Sequence, residues 1–355
     1  MKVMMVARRY PPDIISGTET VFENLYRQAC KAHDVRLVVG FTRDRSLVPA
    51  EALGVDLRGK RLGMSHVAMW RAARGEARRW RPDVVLANSI EVPVTGTPTA
   101  CIVHDLNFGR AGRGLSARAR EALYKWRCPK MDRIISVSEA TRVALEQLGV
   151  EPSRIRVVHN GVDTERFHPV PREGSSSTAV IAYPGRILPG KGQHVAIDAV
   201  SRLSAEDKAK VELRIVGTVA DPVYFEQLKV QAADQPVSFH TEVPAIEPYY
   251  QQADLILFPT LMIEGFGFTA AEGMACGKPV VWSEQAAIRE ATGGIGVAVP
   301  GGDVDAWRGA IVDFLADREG FAAMGEQGRA FVEARYSWAG VWQSYERALS
   351  EMAAR

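Results

Sequence analysis

A chain of 355 residues is long enough for two domains at a prior of roughly 150 residues each. With 46% hydrophobic and 24% charged residues it has the composition of an ordinary globular protein, which excludes a disordered or fibrous chain. The formal net charge of +2 conceals an asymmetry: residues 1–170 carry 28 Lys and Arg against 18 Asp and Glu, and the remainder 16 against 24. The longest uncharged apolar stretch, Leu255 to Ile263, contains Pro259 and falls far short of the roughly 20 residues that a membrane span needs. Only Val3 to Ala7 lie between Lys2 and Arg8, too few for a signal-peptide core of about 7 to 15 apolar residues, so a cytoplasmic chain is expected. Cys30, Cys101, Cys128 and Cys276 are scattered, with no close pair to grip a metal; they are expected to be reduced.

Along the first half, short β-branched runs alternate with helical patterns: VMMVA at 3–7, VRLVV at 35–39, DVVLA at 83–87, TACIV at 99–103, RIISV at 133–137 and RIRVV at 154–158. The second half repeats the pattern with TAVIAY at 178–183, VELRIV at 211–216, ADLILF at 253–258 and KPVVW at 278–282. This alternation predicts an α/β protein with two doubly wound parallel sheets. The PVPREGSSST stretch at 169–178 has the composition of an interdomain linker, giving an N-terminal Rossmann-like domain over 1–170 and a second over 171–335. No repeat of 20 to 50 residues is visible, which argues against solenoids and propellers. In such sheets ligands bind beyond the carboxyl ends of the strands, and a cleft between domains is the natural place for a site.

Several motifs follow those strand ends. His104-Asp105 closes the TACIV strand, where a histidine could meet a reacting group or serve a hydrogen-bonded structural role; no Ser-His-Asp triad accompanies it. Gly185-Arg-Ile-Leu-Pro-Gly-Lys191-Gly192 nearly satisfies the phosphate loop, but Gly192 stands where a hydroxyl would hold magnesium. What survives is phosphate binding, with Arg186 as a fork and Lys191 as a point charge; the alternative is a tight turn bearing two solvated cations. From Phe258 to Val281 the chain leaves a buried strand and enters a helix, with Gly265 and Gly267 holding Glu264 in a loop and Glu272 in the first turns of the helix. A loop carboxylate suits sugar hydroxyls, and amides at the helix start suit a diphosphate; taken singly, both glutamates also read as ordinary surface acids. Asp303-Val-Asp305 is read as a helix N-cap and first-turn acid rather than a metal motif. Arg71, Arg74, Arg78, Arg79 and Arg81 with Trp70 and Trp80, and the stretch from Arg110 to Arg133 with Trp126, are basic helical patterns. They suit either an anionic membrane surface or a solvated face over the core, and without a recognition motif nucleic acid is the poorer reading.

Glu264 and Glu272, followed by Gly277-Lys-Pro-Val-Val, resemble the paired-glutamate signature of the family 4 retaining glycosyltransferases. Gly185-Arg186 with Lys191-Gly192, the Asn160-Gly-Val-Asp163 run before Phe167-His-Pro169, and Tyr10-Pro-Pro with Ser16-Gly17 stand where that family has its motifs, so the likeness covers almost the whole chain. It implies the GT-B fold, two Rossmann-like domains facing across a cleft with residues 336–355 as a C-terminal helix crossing back to the first. It also implies that Arg186 and Lys191 hold the donor diphosphate, Gly185 lets backbone approach it, and Glu272 takes the ribose. Glu264 takes the transferred sugar, helped by the backbone at Phe266, Gly267 and Phe268. The Ser16-Gly17 loop closes over the diphosphate, with Ser16 in place of the first of the family's usual two glycines, and His104 lies against the donor sugar. The implied reaction is metal-independent retaining transfer of a hexosyl unit from a UDP- or GDP-sugar to a hydroxyl on a glycan, glycolipid or lipid-linked saccharide, with no cofactor. The competing readings are a nucleotide-sugar epimerase, a glycan phosphorylase and a non-catalytic sugar-nucleotide binding protein.

Overall fold

The structure is a computed structural model, and it describes residues 1–13, 17–90, 96–106, 115–171 and 178–354. Ser16 and most of the expected linker lie outside the described residues, as does the start of the Arg110 to Arg133 stretch. The chain divides into two compact units: Met1–Gly161 with Trp338–Arg355, and Val162–Ser337.

The first unit is built on seven strands: β1 (Lys2–Ala7), β2 (Asp34–Phe41), β3 (Leu53–Asp56), β4 (Val84–Ala87), β5 (Thr99–Val103), β6 (Arg133–Ser136) and β7 (Ile155–Val157). They pair in the order β3-β2-β1-β4-β5-β6-β7, every pair parallel. β4 and β5 are buried along their whole length, which is why they read as continuous apolar runs rather than alternating ones. Helix Trp338–Ala353 belongs to this unit, where it packs on helix Gly17–Ala29. His33, which follows that first helix, meets Glu346 of the last at 2.8 Å.

The second unit has six strands: β8 (Ala179–Pro184), β9 (Val211–Val216), β10 (Val237–His240), β11 (Leu255–Phe258), β12 (Val280–Ser283) and β13 (Val297–Val299). Their order is β10-β9-β8-β11-β12-β13, again all parallel. Ten of the thirteen strands are those predicted from sequence. The three not anticipated, β3, β10 and β13, are outer strands of their sheets, short and incompletely buried, so they lack a long apolar run.

Each sheet reverses its winding direction once, between β1 and β4 in the first and between β8 and β11 in the second. Loops from two such neighbouring strands leave in opposite directions and open a crevice between them. In the second unit those are the loops Gly185–Gly192 and Pro259–Gly267, so the two segments that looked most chemical in the sequence issue from the two strands that flank the reversal. The Asp303 prediction also holds: its carboxylate accepts the Ala306 N–H at 3.1 Å at the head of helix Val304–Ala316, with Asp305 in the first turn. Among the described residues no helix is long and apolar enough to cross a membrane. All four cysteines are free, and burial pushes Cys101, Cys128 and Cys276 up to about 12, which leaves them protonated and inert at neutral pH.

Val162–Phe167 is tied into the second unit. Val162 N–H donates to Tyr336 O at 2.8 Å, and Phe167 meets Tyr250 edge-on at 5.4 Å. Arg329 fastens this stretch to the helix that carries Glu272, donating through Nη1 to Phe167 O at 2.8 Å, to Thr164 O at 3.3 Å and to Ala275 O. Arg329→Met keeps the aliphatic stem but strands these carbonyls, and is expected to lower unfolding stability by about 2 to 3 kcal/mol in urea titration. A variant as stable as the parent would show that the carbonyls find other donors.

Candidate active site

The loop after β8 is held by its own backbone and by its neighbour strand. Gly185 N–H donates to Val216 O at 2.8 Å, Ile187 N–H to Thr218 O at 2.9 Å, and Gln193 Nε2 to Arg186 O at 2.8 Å. Gly192 has φ +75°, and a Cβ there would stand 2.0 Å from Pro259 O, so only glycine allows the two loops to meet this closely. Gly190 O in turn accepts the N–H groups of Leu261 and Met262 at 2.9 and 2.8 Å. The first loop is thereby bonded to the second through main chain on both.

That junction sets the charged pair. Lys191 Nζ donates to Glu264 Oε1 at 2.7 Å, and both side chains are largely shielded, at 15% and 14% exposure. Thr260 Oγ1 donates to the same Oε1 at 2.8 Å, and the Lys191 ammonium lies 5.5 Å from the Phe258 ring centre. Lys191 is fixed at its other end, where its carbonyl accepts the Tyr183 hydroxyl. Arg186 is on the same loop with its side chain exposed.

Gly267, at φ +108°, precedes helix Phe268–Ala275. The Phe266 side chain packs between Phe268 and Tyr336, each at 5.2 Å, so it is core. Thr269 Oγ1 donates to Pro184 O at 3.1 Å, drawing the helix start to the end of β8. Glu272 lies one turn further on, and its Oε2 accepts the Tyr250 hydroxyl at 2.7 Å. Burial pushes its carboxyl up to about 7, opposed by the Tyr250 hydrogen bond and the Arg166 charge. The structure therefore joins Lys191 to Glu264, places Arg186 on the Lys191 loop and Gly267 and Phe268 at the adjoining helix start, and puts Glu272 in a separate, half-buried contact with Tyr250.

His104 and Gly17 belong to the first unit. His104 Nε2 and Asn88 Oδ1 are 2.8 Å apart at the ends of β5 and β4. Asn88 Nδ2 reaches Thr18 O at 3.4 Å, next to Gly17 at the head of the first helix, where Thr18 Oγ1 donates to the buried Glu19 at 2.8 Å. Burial holds the His104 imidazole down at about 4 against the pull of Glu19. Asn88, Glu19, Thr260, Tyr250 and Gln285 were not singled out in the sequence; Thr260 had a signal, since it follows a buried strand's carboxyl end. Among the described residues no group of three or more His, Cys, Asp or Glu side chains is placed to hold a metal.

Two family models cover most of the chain: residues 15–166 match Glycosyltransferase Family 4, and residues 178–317 match Glycosyl transferases group 1. The chain belongs to glycosyltransferase family 4. Its relatives include a GDP-mannose-dependent alpha-(1-6)-phosphatidylinositol monomannoside mannosyltransferase of Mycolicibacterium smegmatis, 31% identical over 58% of this chain and 59% of that protein. A D-inositol 3-phosphate glycosyltransferase of Gordonia bronchialis is 30% identical over 63% of this chain and 54% of its own length. This family 4 chain thus matches little more than half the length of these two, whereas a glycogen synthase of Mycobacterium tuberculosis aligns at 26% identity over 95% and 92%. Among solved structures, sucrose-phosphate synthase from Thermosynechococcus elongatus has a TM-score of 0.85 at 18% identity with full coverage of both chains. Anabaena HepE in complex with UDP and glucose gives 0.80 at 20% identity, covering 99% of this chain and 100% of that one. These likenesses show the GT-B fold.

The two perturbed groups give opposite pH dependences. The folded Glu272 carboxyl keeps its proton to about pH 7 while the unfolded one loses it near 4.5, so its stabilising contribution is complete below 4.5 and lost as pH rises through 7. The folded His104 stays neutral to about pH 4 while the unfolded one charges below 6.5, so its contribution is complete above 6.5 and lost as pH falls through 4. Each window is worth about 3 kcal/mol. Urea titrations of the parent, Glu272→Gln and His104→Gln across both windows should show each variant flattening its own limb; parallel curves would refute the burial assignment.

Proposed function

We propose that this chain is a retaining, metal-independent hexosyltransferase that uses a UDP- or GDP-hexose and an acceptor hydroxyl. The observation that carries the reading is the Lys191–Glu264 pair at the winding reversal of the second sheet, beside Arg186 and a helix start. A diphosphate entering there meets the Arg186 fork, the Lys191 ammonium and the amides at Gly267 and Phe268, which together offset the charge that grows as the glycosidic bond breaks. Lys191 shifts from Glu264 to phosphate, and the freed carboxylate accepts a hydroxyl of the sugar. Glu272 takes the ribose hydroxyls. The C1–O bond to phosphate breaks, the acceptor oxygen bonds to C1 on the same face, and the acceptor's proton passes to the departing phosphate oxygen. The relative described as GDP-mannose-dependent and the neighbour holding UDP and glucose support a nucleotide diphosphate hexose as donor. A glycan, glycolipid or lipid-linked saccharide is the acceptor class.

Glu264→Gln is expected to lower kcat by about a hundredfold or more while nucleoside diphosphate affinity stays within about threefold, and Arg186→Ala to weaken that affinity about tenfold or more. Transfer measured with UDP- and GDP-hexoses, with and without EDTA, checks this. Full activity of Glu264→Gln removes that residue from the site, dependence on added magnesium removes the metal-free mechanism, and nucleotide-sugar binding without turnover favours the non-catalytic reading.

We further infer peripheral contact of the first unit with an anionic membrane at the cytoplasmic face, through helix Leu62–Trp80. Ser65, Met69, Ala73 and Ala77 turn inward. Met64, Val67 and Trp70 are 54%, 48% and 37% exposed on the outward side, which Arg71, Arg74 and Arg78 continue. The helix's one carboxylate, Glu76, is buried against Arg36 and Arg79, so none of its acids offsets the outward charge. Trp80 lies between Lys2 and Arg36, at 5.7 and 5.2 Å from their charges, and serves packing instead. Co-sedimentation with phosphatidylglycerol vesicles at low salt should weaken about tenfold or more with Met64→Ser, Val67→Ser and Trp70→Ser combined, and what remains should vanish at high salt, since each basic residue left near the surface contributes roughly 1 kcal/mol of screenable attraction. No sedimentation of the parent protein would remove the proposal.

A further inference from the structure

The proposed reaction gives no role to Gln285, a polar side chain bonded to the Glu264 loop. Gln285 stands just beyond β12, and its amide engages the loop that carries Glu264 in both senses. Its Oε1 accepts the Glu264 N–H at 3.0 Å, while its Nε2 donates to Met262 O at 2.9 Å and to Thr260 O at 3.3 Å. On the other flank the same loop is held by Gly190 O, which accepts from Leu261 and Met262. Pro259–Gly267 contains no strand or helix of its own, so the loop lies between these two sets of bonds like an extended segment with a partner on each side. Gln285 thus supplies from one side chain the donor and acceptor that a neighbouring strand would supply from its backbone. A primary amide does both at once, with two N–H donors for the two carbonyls; an ionised carboxylate cannot donate, and a hydroxyl is too short to span three residues.

We propose that Gln285 is the positioning residue for the Glu264 carboxylate, and that it acts by locking the 260–264 backbone. The inference rests on the reading that Glu264 contacts the transferred sugar. A reacting geometry tolerates displacements of only about 0.5 Å, and a side chain on an irregular loop inherits every movement of its own N–H and carbonyl neighbours. Thr260, whose hydroxyl also holds Glu264 Oε1, has its carbonyl on the same Gln285 amide, so one residue governs both supports of that oxygen.

Gln285→Met matches the side chain in length and removes every one of these bonds. Hydrogen–deuterium exchange of the free protein should speed up about tenfold or more in the 259–267 segment, including the Glu264 amide, with the sheets unchanged. With UDP- and GDP-hexoses, kcat should fall about tenfold or more, and UDP and GDP affinities should stay within about threefold. Gln285→Glu gives an independent readout. Its carboxylate only accepts, but its protonated form both donates and accepts, so its deficit relative to the parent at the same pH should shrink as pH is lowered. Unchanged exchange in Gln285→Met overturns the lock. Faster exchange with unaltered kcat, or kcat and nucleotide affinity falling together with melting temperature, overturns the positioning role. A parent protein that turns over no nucleotide sugar, while Gln285→Met still loosens the loop, upholds the lock and refutes the transfer reading instead.

Discussion

The close approach of Gly192 to Pro259 O is the constraint on which the rest of the site depends. Strands β8 and β11 are neighbours whose following loops would diverge, and diverging loops would leave Lys191 and Glu264 solvated and apart. A residue without a Cβ lets main chain meet main chain, after which Gly190 O can collect two N–H groups from the opposite loop. The Lys191–Glu264 contact follows from that backbone junction more than it causes it. This ordering agrees with the energetics of shielded ion pairs, whose attraction is largely cancelled by the cost of removing both charges from water. Such a pair contributes little to folding but keeps each charge satisfied.

Two carboxylates eight positions apart are given different chemistries by their surroundings. Glu264 faces an ammonium and a hydroxyl at the mouth of the loops, whereas Glu272 is turned into the unit against the phenol of Tyr250 and is held near neutrality. One is paired with a cation; the other, pushed up by burial, keeps its proton to about pH 7. Spacing in the sequence makes them look like a pair, but helix geometry separates them. Gly267 ends the loop, so Glu264 belongs to irregular backbone and Glu272 to a regular turn.

The same contrast explains what could be read without coordinates. Central strands were legible because burial on both faces forces an unbroken apolar run, as in LILF at 255–258 and TACIV at 99–103. LGVD, VSFH and VAV were not, because an outer strand is only partly covered and its residues answer to no single environment. In the site, Lys191 and Glu264 were legible because glycines mark the positions where backbone must bend or approach. Thr260, Tyr250, Asn88 and Gln285 act through one hydrogen bond or a few to partners between four and 70 residues away. Nothing in the local pattern of a glutamine after a strand distinguishes a solvated amide from one that spans a loop.

The neutrality of His104 constrains what the first unit can contribute on the proposed reading. An imidazole held down at about 4 by burial carries no charge at neutral pH, so it cannot offset phosphate as an imidazolium would. With Asn88 Oδ1 as acceptor, the proton sits on Nε2 and the other ring nitrogen is left as an acceptor, an assignment that follows the orientation of the Asn88 amide. A neutral ring with an acceptor nitrogen can order a hydroxyl but adds no charge of its own. What the first unit secures at this position is therefore a neutral ring of fixed tautomer, held to Asn88 and through it to the backbone at the head of helix Gly17–Ala29.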